Sequence, residues 1–451
     1  MRFDIDSLGL LEEAARALES GFADLPPAAA EDDGASLRRV LGEVAGRLHD
    51  NYPYFHPLYA GQMLKPPHPV ARLAYALAQF INPNNHAIDG GRASSAMEKE
   101  AVAEIAGMLG WQTHLGHLTG GGTMANLEAL WVAGRLRDGE TIVASSEAHY
   151  THRRVCEVLR LPFKELAADA QGRLDVARLA RRLRHGGVGT VVATLGTTSR
   201  GAVDPLPEIL ALRERYGFRL HVDAAYAGYF VLAGNLDAPA RAAFERVGEV
   251  DSIVIDPHKH GLQPYGCGCV LFRDPAVGRI YRHDSPYTYF TSSALHLGEI
   301  SLECSRAGAG AVALWATQRL LPLVRGGAFA ADLERCREAA LALYARLAAD
   351  ERFLVLEPPE LDIVLWAPRA GSVAGVSARS RDIFKGAAAR GLHLALARVP
   401  TETARAHWPE LADDADTVTC LRSVLMKPDH LEWMDRIWLI LDEATLASGG
   451  G

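Results

Sequence analysis

The most reactive-looking stretch of this 451-residue chain is Asp256-Pro257-His258-Lys259-His260-Gly261, a lysine flanked by two histidines. A lysine placed after an apolar run, beside a proline turn and near a glycine, offers a partly desolvated amine able to form a Schiff base. Taken by itself it is equally an ordinary surface-loop lysine. Asp223 ends the short run Arg219-Leu220-His221-Val222. A carboxylate there can keep a cofactor's ring nitrogen protonated, the state in which the ring draws in electrons, or can simply cap the following segment. Two residues on, Ala225 is small enough for a ring to lie against the backbone. Upstream, Leu118-Thr119-Gly120-Gly121-Gly122-Thr123-Met124-Ala125-Asn126 opens a helix. Its glycines free backbone N–H groups to wrap a phosphate at a helix N-terminus, although the same glycines also suit a plain tight turn. No Gly-Lys-Ser/Thr follows, so it is not a Walker loop. His149, in Ser146-Glu147-Ala148-His149-Tyr150, could stack a flat imidazole on a ring, and Thr197 and Thr198 offer hydroxyls. Lysine, carboxylate, phosphate turn and imidazole together are what pyridoxal phosphate requires.

Other pairings carry less. His258-x-His260, His149-x-x-His152 and His114-x-x-His117 have ligand-like spacing, but no acidic or cysteine partner completes a known pattern, and no metal is expected. His152 reads as a helix-surface histidine, and Cys267-x-Cys269 as small side chains on a packed strand.

The elements that must position these residues follow from hydrophobic periodicity. Strands are expected at 141–145, 189–195, 218–222, 252–255 and 269–272, alternating with helices, the mark of a largely parallel sheet. Several of these strands end in Gly196-Thr197-Thr198, Asp223-Ala224-Ala225 and Asp256-Pro257-His258-Lys259. Ligands of open α/β sheets bind outside the carboxyl ends of strands, where these residues lie. Helices are expected at 8–17 and 35–48, joined by a Pro-Ala-rich linker at 26–30, and again at 70–80 and 98–109. After a long helical region, 309–350, come strands at 353–356, 363–367, 392–397 and 417–426 and helices at 381–390 and 431–446. The division expected is an arm at 1–59, a large cofactor domain at 60–325 and a small α+β domain at 326–451.

Composition narrows the partners. Hydrophobic residues at 49% and charged residues at 23% give enough apolar surface for a buried core and argue against disorder. The formal charge of −8, with no large basic cluster, argues against nucleic acid or an anionic membrane. No apolar run is long enough to span a bilayer, the first ten residues lack the features of a signal peptide, and six scattered cysteines make no disulfide framework. A cytoplasmic home is expected.

The ordered motifs resemble the group II pyridoxal-phosphate-dependent amino acid decarboxylases, of aspartate aminotransferase fold type I. The resemblance runs from His56-Pro57 and Glu98, through Thr119 to Asn126, His149, Leu195 to Asp204, His221 to Gly228 and Pro257-His258-Lys259, to Leu421-Arg422-Ser423-Val424-Leu425-Met426-Lys427-Pro428. It implies that Lys259 forms the internal aldimine, that Asp223 pairs with the ring nitrogen and that His149 stacks on the ring. Gly121, Gly122, Thr123, Asp256 and His258 would hold the phosphate or the lysine, with Thr197, Thr198 and Ala225 beside the ring. It implies a homodimer with the active site at the subunit interface, closed by a loop for which residues 285–291 are the candidate. Tyr287 or Tyr289 on that loop would reprotonate the α-carbon.

Departures from the family pattern are Gly120 where serine is frequent, Met124 where glutamate is frequent, Asp256 where animal enzymes carry asparagine, and His260 after the lysine. Asp-Pro-His-Lys-x-Gly-x-x-Pro, here ending at Pro264, is closer to the microbial tyrosine decarboxylase branch, which favours an aromatic L-amino acid as substrate. Tyr52, Tyr54, Phe55, Tyr59, Phe80, Tyr287, Tyr289 and Phe290 could build an aromatic pocket or simply pack a core. Lys65, His68 and Arg92 could instead receive an acidic side chain. The rivals are a same-fold aminotransferase, lyase or aldehyde synthase, and a non-catalytic scaffold, against which the intact Lys259, Asp223 and His149 weigh.

Overall fold

Val188–Thr194 is buried at every position, as a strand must be when helices cover both faces of its sheet. The computed structural model describes residues 5–26, 34–282 and 295–448. Seven strands form the large sheet: β1 (Leu115–Thr119), β2 (Thr141–Ser145), β3 (Phe163–Leu166), β4 (Val188–Thr194), β5 (Arg219–Asp223), β6 (Ser252–Ile255) and β7 (Gly268–Phe272). Their spatial order is β1-β7-β6-β5-β4-β2-β3. β3, β2, β4, β5 and β6 pair in parallel, while β7 runs antiparallel to β6 and to β1.

Alternate side chains of each strand serve opposite faces. Val254, Val270 and Phe272 meet Ala125, Ala129 and Val132 of the helix Gly122–Leu136. Ile253, Ile255 and Leu271 belong to a second, larger cluster with Ile105, Leu206, Ile209 and Phe230. Each such fully buried aliphatic side chain contributes about 1.5–3 kcal/mol relative to exposure.

The second sheet holds β8 (Phe353–Val355), β9 (Ile363–Pro368), β10 (Ala395–Pro400) and β11 (Thr417–Val424), all antiparallel in the order β10-β11-β9-β8. Helices Val373–Ala389 and Met434–Ser448 supply Ile383, Ile437 and Leu441 to a core around the fully buried Trp366. The fold is thus α/β, a mostly parallel sheet between helices with a smaller antiparallel unit. At the other end, the helices Leu8–Ser20 and Gly34–Leu48 bury none of their residues.

Several elements depart from expectation. β1 was not anticipated, since Gly116 and His117 interrupt its apolar pattern, nor was β3, an edge strand whose Lys164 and Glu165 are exposed. The helix expected at 381–390 begins at Val373, capped by Ser372, which accepts from Gly375 N–H. The strand expected at 392–397 lies at Ala395–Pro400 and runs into a helix, Thr401–His407, that the sequence pattern did not announce. Among the described residues no helix is long and apolar enough to cross a membrane.

Candidate active site

Five segments converge beyond the carboxyl ends of the parallel strands, where helix N-termini and loops rather than strand backbone face outward. They enclose a cavity of about 580 Å³ lined by Gly121, Gly122, Thr123, His149, Thr198, Asp223, Ala225, Asp256, His258 and Lys259. Ten of the sequence-selected residues therefore share one space. Tyr287, Tyr289 and Phe290 lie outside the described residues.

The floor is ionic. Lys259 Nζ stands 3.2 Å from Asp256 Oδ2, and His258 Nε2 stands 3.6 Å from the same oxygen. His258 Nδ1 points the other way, to Cys267 O at 2.8 Å, which fixes the ring. Burial lowers the pKa of His258 and of His149 below the ordinary imidazole value, so both present a neutral ring at pH 7. Asp256 Oδ1 is buried without a hydrogen-bond partner.

Asp223 is the best-braced group in the site. Its Oδ2 faces His152 Nε2 at 2.8 Å and accepts from Asn126 Nδ2 at 3.3 Å, and its Oδ1 accepts from Ala225 N–H at 3.1 Å. Burial would raise its pKa, but the hydrogen bond from His152, with the Lys259 amine nearby, holds it well below the carboxylate range. Asn126 also donates to Gly122 O at 2.9 Å, and its Oδ1 faces His221 Nε2 at 2.9 Å. The glycine turn and Asp223 are therefore tied together by one amide.

The glycine turn is tight. Gly121 has φ +140°, a conformation side chains rarely adopt, and the helix begins at Gly122. Gly120 N–H donates to Glu303 Oε2 at 3.0 Å, and Glu303 also borders the cavity.

Two expectations need correction. His152 is not on a helix surface: it is 1% exposed and aimed at Asp223. Its helix, Thr151–Leu159, starts one residue earlier, and its buried face runs through Thr151, His152, Val155 and Cys156. Thr197 is buried in the turn, where its hydroxyl accepts Ala202 N–H at 3.0 Å, and it does not line the cavity as Thr198 does. Of the aromatics that could build a pocket or pack a core, Tyr54 and Tyr59 rings meet at 5.0 Å, Tyr52 lies against His393 at 4.7 Å, and Phe80 is exposed. Among the described residues, neither Tyr52, Tyr54, Phe55, Tyr59 and Phe80 nor Lys65, His68 and Arg92 line the cavity within one chain.

The histidine pairs with ligand-like spacing go to separate partners, His260 to Asp362 at 3.1 Å, His152 to Asp223 and His117 to Glu128 at 2.9 Å. Sequence reasoning assigned no role to Asn126, Tyr226 or Glu303. For Asn126 a signal was present, because the fourth residue after Gly122 on a helix shares its face.

The residues fit pyridoxal phosphate. A turn with no room for a side chain at Gly122, an amine, a braced carboxylate and an unspent buried oxygen on Asp256 surround one cavity.

Comparison with known proteins agrees. Residues 128–367 match the family model described as the pyridoxal-dependent decarboxylase conserved domain. L-tyrosine decarboxylase of Enterococcus faecium is 28% identical over 385 residues, 63% of this chain and 63% of that protein. The match thus spans less than two thirds of that relative. A probable L-tyrosine/L-aspartate decarboxylase of Methanothrix thermoacetophila is 30% identical over 357 residues, 77% of this chain and 85% of that one. Among solved structures, Oryza sativa TDC with PLP and tryptamine superposes with a TM-score of 0.78 at 18% identity, covering 99% of both chains. Mouse CSAD in apo form gives 0.76 at 19% identity, over 94% of this chain and 91% of that one. With the matched segment reaching from the phosphate-turn helix, past Asp223 and Lys259, into the second sheet, this chain belongs to the pyridoxal-dependent decarboxylase family.

Proposed function

We propose that the protein decarboxylates an L-amino acid to the corresponding amine and carbon dioxide, with an aromatic side chain preferred. The observation that carries this reading is the convergence of Lys259, Asp223, His149 and the glycine turn on one cavity. Bound pyridoxal phosphate would supply an aldehyde carbon and an electron-poor ring that takes up the electron pair left by departing carbon dioxide.

This chain's residues would do the rest. Lys259, held at the cavity floor by Asp256, would hold the cofactor through its aldehyde carbon, with its amine as the nucleophile. Asp223 keeps its negative charge in place for the ring nitrogen, and His149 offers a neutral imidazole face. Gly121, Gly122, Thr123 and His258 hold the phosphate, and Thr198 and Ala225 border the ring. Tyr287 and Tyr289 are the candidate donors of a proton to the α-carbon.

Two features support an uncharged aromatic side chain. Met124, Leu127, Tyr150 and Tyr226 contribute apolar wall. Among the described lining residues, the carboxylates Asp223, Asp256 and Glu303 face one lysine, Lys259, a balance that repels an acidic substrate. The relatives' names include both tyrosine and aspartate, so this preference separates two activities present in the family.

We propose the division at residues 59/60 and 325/326, a homodimer and a cytoplasmic setting as well. The exposed Leu37, Leu41 and Leu48 of an arm helix that buries nothing support a partner chain.

The test is spectroscopic. Purified protein given the cofactor should show the visible band of a lysine-bound form, and Lys259→Ala should lose both the band and turnover. A wild-type protein that stays colourless, or a variant that keeps turning over, contradicts the reading.

A further inference from the structure

His152 does not line the active-site cavity and is 1% exposed, yet its Nε2 lies 2.8 Å from Asp223 Oδ2. A carboxylate oxygen only accepts, so the hydrogen is on Nε2. Nδ1 is buried with no hydrogen-bond partner, so the surroundings support the tautomer that donates from Nε2. Asn126 makes the longer of the two side-chain hydrogen bonds to Oδ2, at 3.3 Å, with its other N–H given to Gly122 O at 2.9 Å.

We propose that His152 is a positioning residue for Asp223, whose hydrogen bond lowers that carboxylate's proton affinity and so keeps the shared proton on the cofactor's ring nitrogen. The inference rests on the reading of Asp223 as the partner of that nitrogen. A hydrogen bond to the ionised form of an acid favours that form, and in a buried site the effect is not diluted by water. The other polar groups facing Asp223 are His149 from the turn after β2, Lys259 from the loop after β6, Asn126 from the helix Gly122–Leu136 and His221 from its own strand. Of the side chains among these, His152 makes the shortest hydrogen bond to Asp223.

Magnetic resonance of the holoenzyme, with the cofactor isotope-labelled at its ring nitrogen, reports whether that nitrogen is protonated, independently of turnover. His152→Gln retains an N–H donor, and His152→Leu keeps similar bulk without one. Wild type and the Gln variant should show a protonated ring. The Leu variant should lose ring protonation and bind the cofactor about tenfold more weakly, the scale of one lost hydrogen bond to a charged group. A Leu variant with wild-type protonation and affinity overturns the proposal, as does a Gln variant as impaired as the Leu one. Should the Leu variant not fold, the Gln variant decides: a protonated ring supports the donor role, and an unprotonated ring in folded protein overturns it. Asp223→Asn separates this from the underlying reading. If it leaves ring protonation unchanged, Asp223 is not the ring's partner; if it abolishes protonation while His152→Leu does not, the role given to His152 is the part that fails.

Discussion

A methyl group at position 122 would lie 2.6 Å from Asp256 Oδ2 and 2.8 Å from Oδ1. Asp256 is 3% exposed, and its Oδ2 is the atom that faces Lys259 Nζ at 3.2 Å. Gly122→Ala should therefore pull the lysine's partner out of place and cost about 1–3 kcal/mol of overpacking, seen as cofactor affinity lowered about tenfold or more in an equilibrium titration. Gly120 is the natural control. A Cβ there meets only Glu303 Oε1, at 3.2 Å, the tip of a flexible side chain. Gly120→Ala should bind cofactor within about threefold of wild type, the roughly 0.6 kcal/mol within which a flexible neighbour gives way. Equal effects at the two positions would contradict the geometry.

At the scale of elements, the large sheet is joined to the small one by a buried polar junction. Asp362, at the start of β9, accepts Tyr226 O–H at 2.6 Å and faces His260 Nε2 at 3.1 Å. Tyr226 follows β5 and His260 follows Lys259, so this carboxylate braces two active-site loops from the small sheet. Burial would raise the pKa of Asp362, but His260, Tyr226 and Lys65 hold it below its ordinary value. A depressed carboxylate adds stability that is present above its unfolded pKa of about 4 and lost as pH falls through the lower folded value. Asp362→Asn should cost about 3 kcal/mol at neutral pH in urea unfolding, with the difference from wild type shrinking in acid. A loss below about 0.5 kcal/mol, the level of an ordinary surface change, would show that the junction does not hold the sheets.

How far the sequence announced these elements depends on what each residue pattern encodes. β2 and β6 lie at the residues expected, 141–145 and 252–255, because short apolar runs bounded by polar turns have few other readings. β1 and β3 escaped because pairing with neighbours, not their own composition, makes them strands. In the site, residues at strand ends were legible from type and order. His152 was not, because its burial depends on how the helix Thr151–Leu159 packs, and a histidine one turn from another looks the same inside or out. The direction of Thr197 was hidden for the same reason: adjacent threonines in a turn can point oppositely, and the bond to Ala202 decides which.

For the whole molecule, the formal charge of −8 fixes no substrate; the local balance of charge around the cavity matters more. On the proposed function, the three carboxylates and one lysine among the described lining residues would receive a zwitterion at Lys259 and disfavour a further negative charge on its side chain. All of this converges on one reaction, and the most direct test is a screen of the twenty amino acids with cofactor-loaded protein, measuring carbon dioxide and identifying the organic product. The proposed function predicts carbon dioxide and the matching amine in equal amounts, fastest with an aromatic amino acid and absent in Lys259→Ala. Keto acid without carbon dioxide, an aldehyde in place of the amine, or no turnover with any amino acid would contradict it.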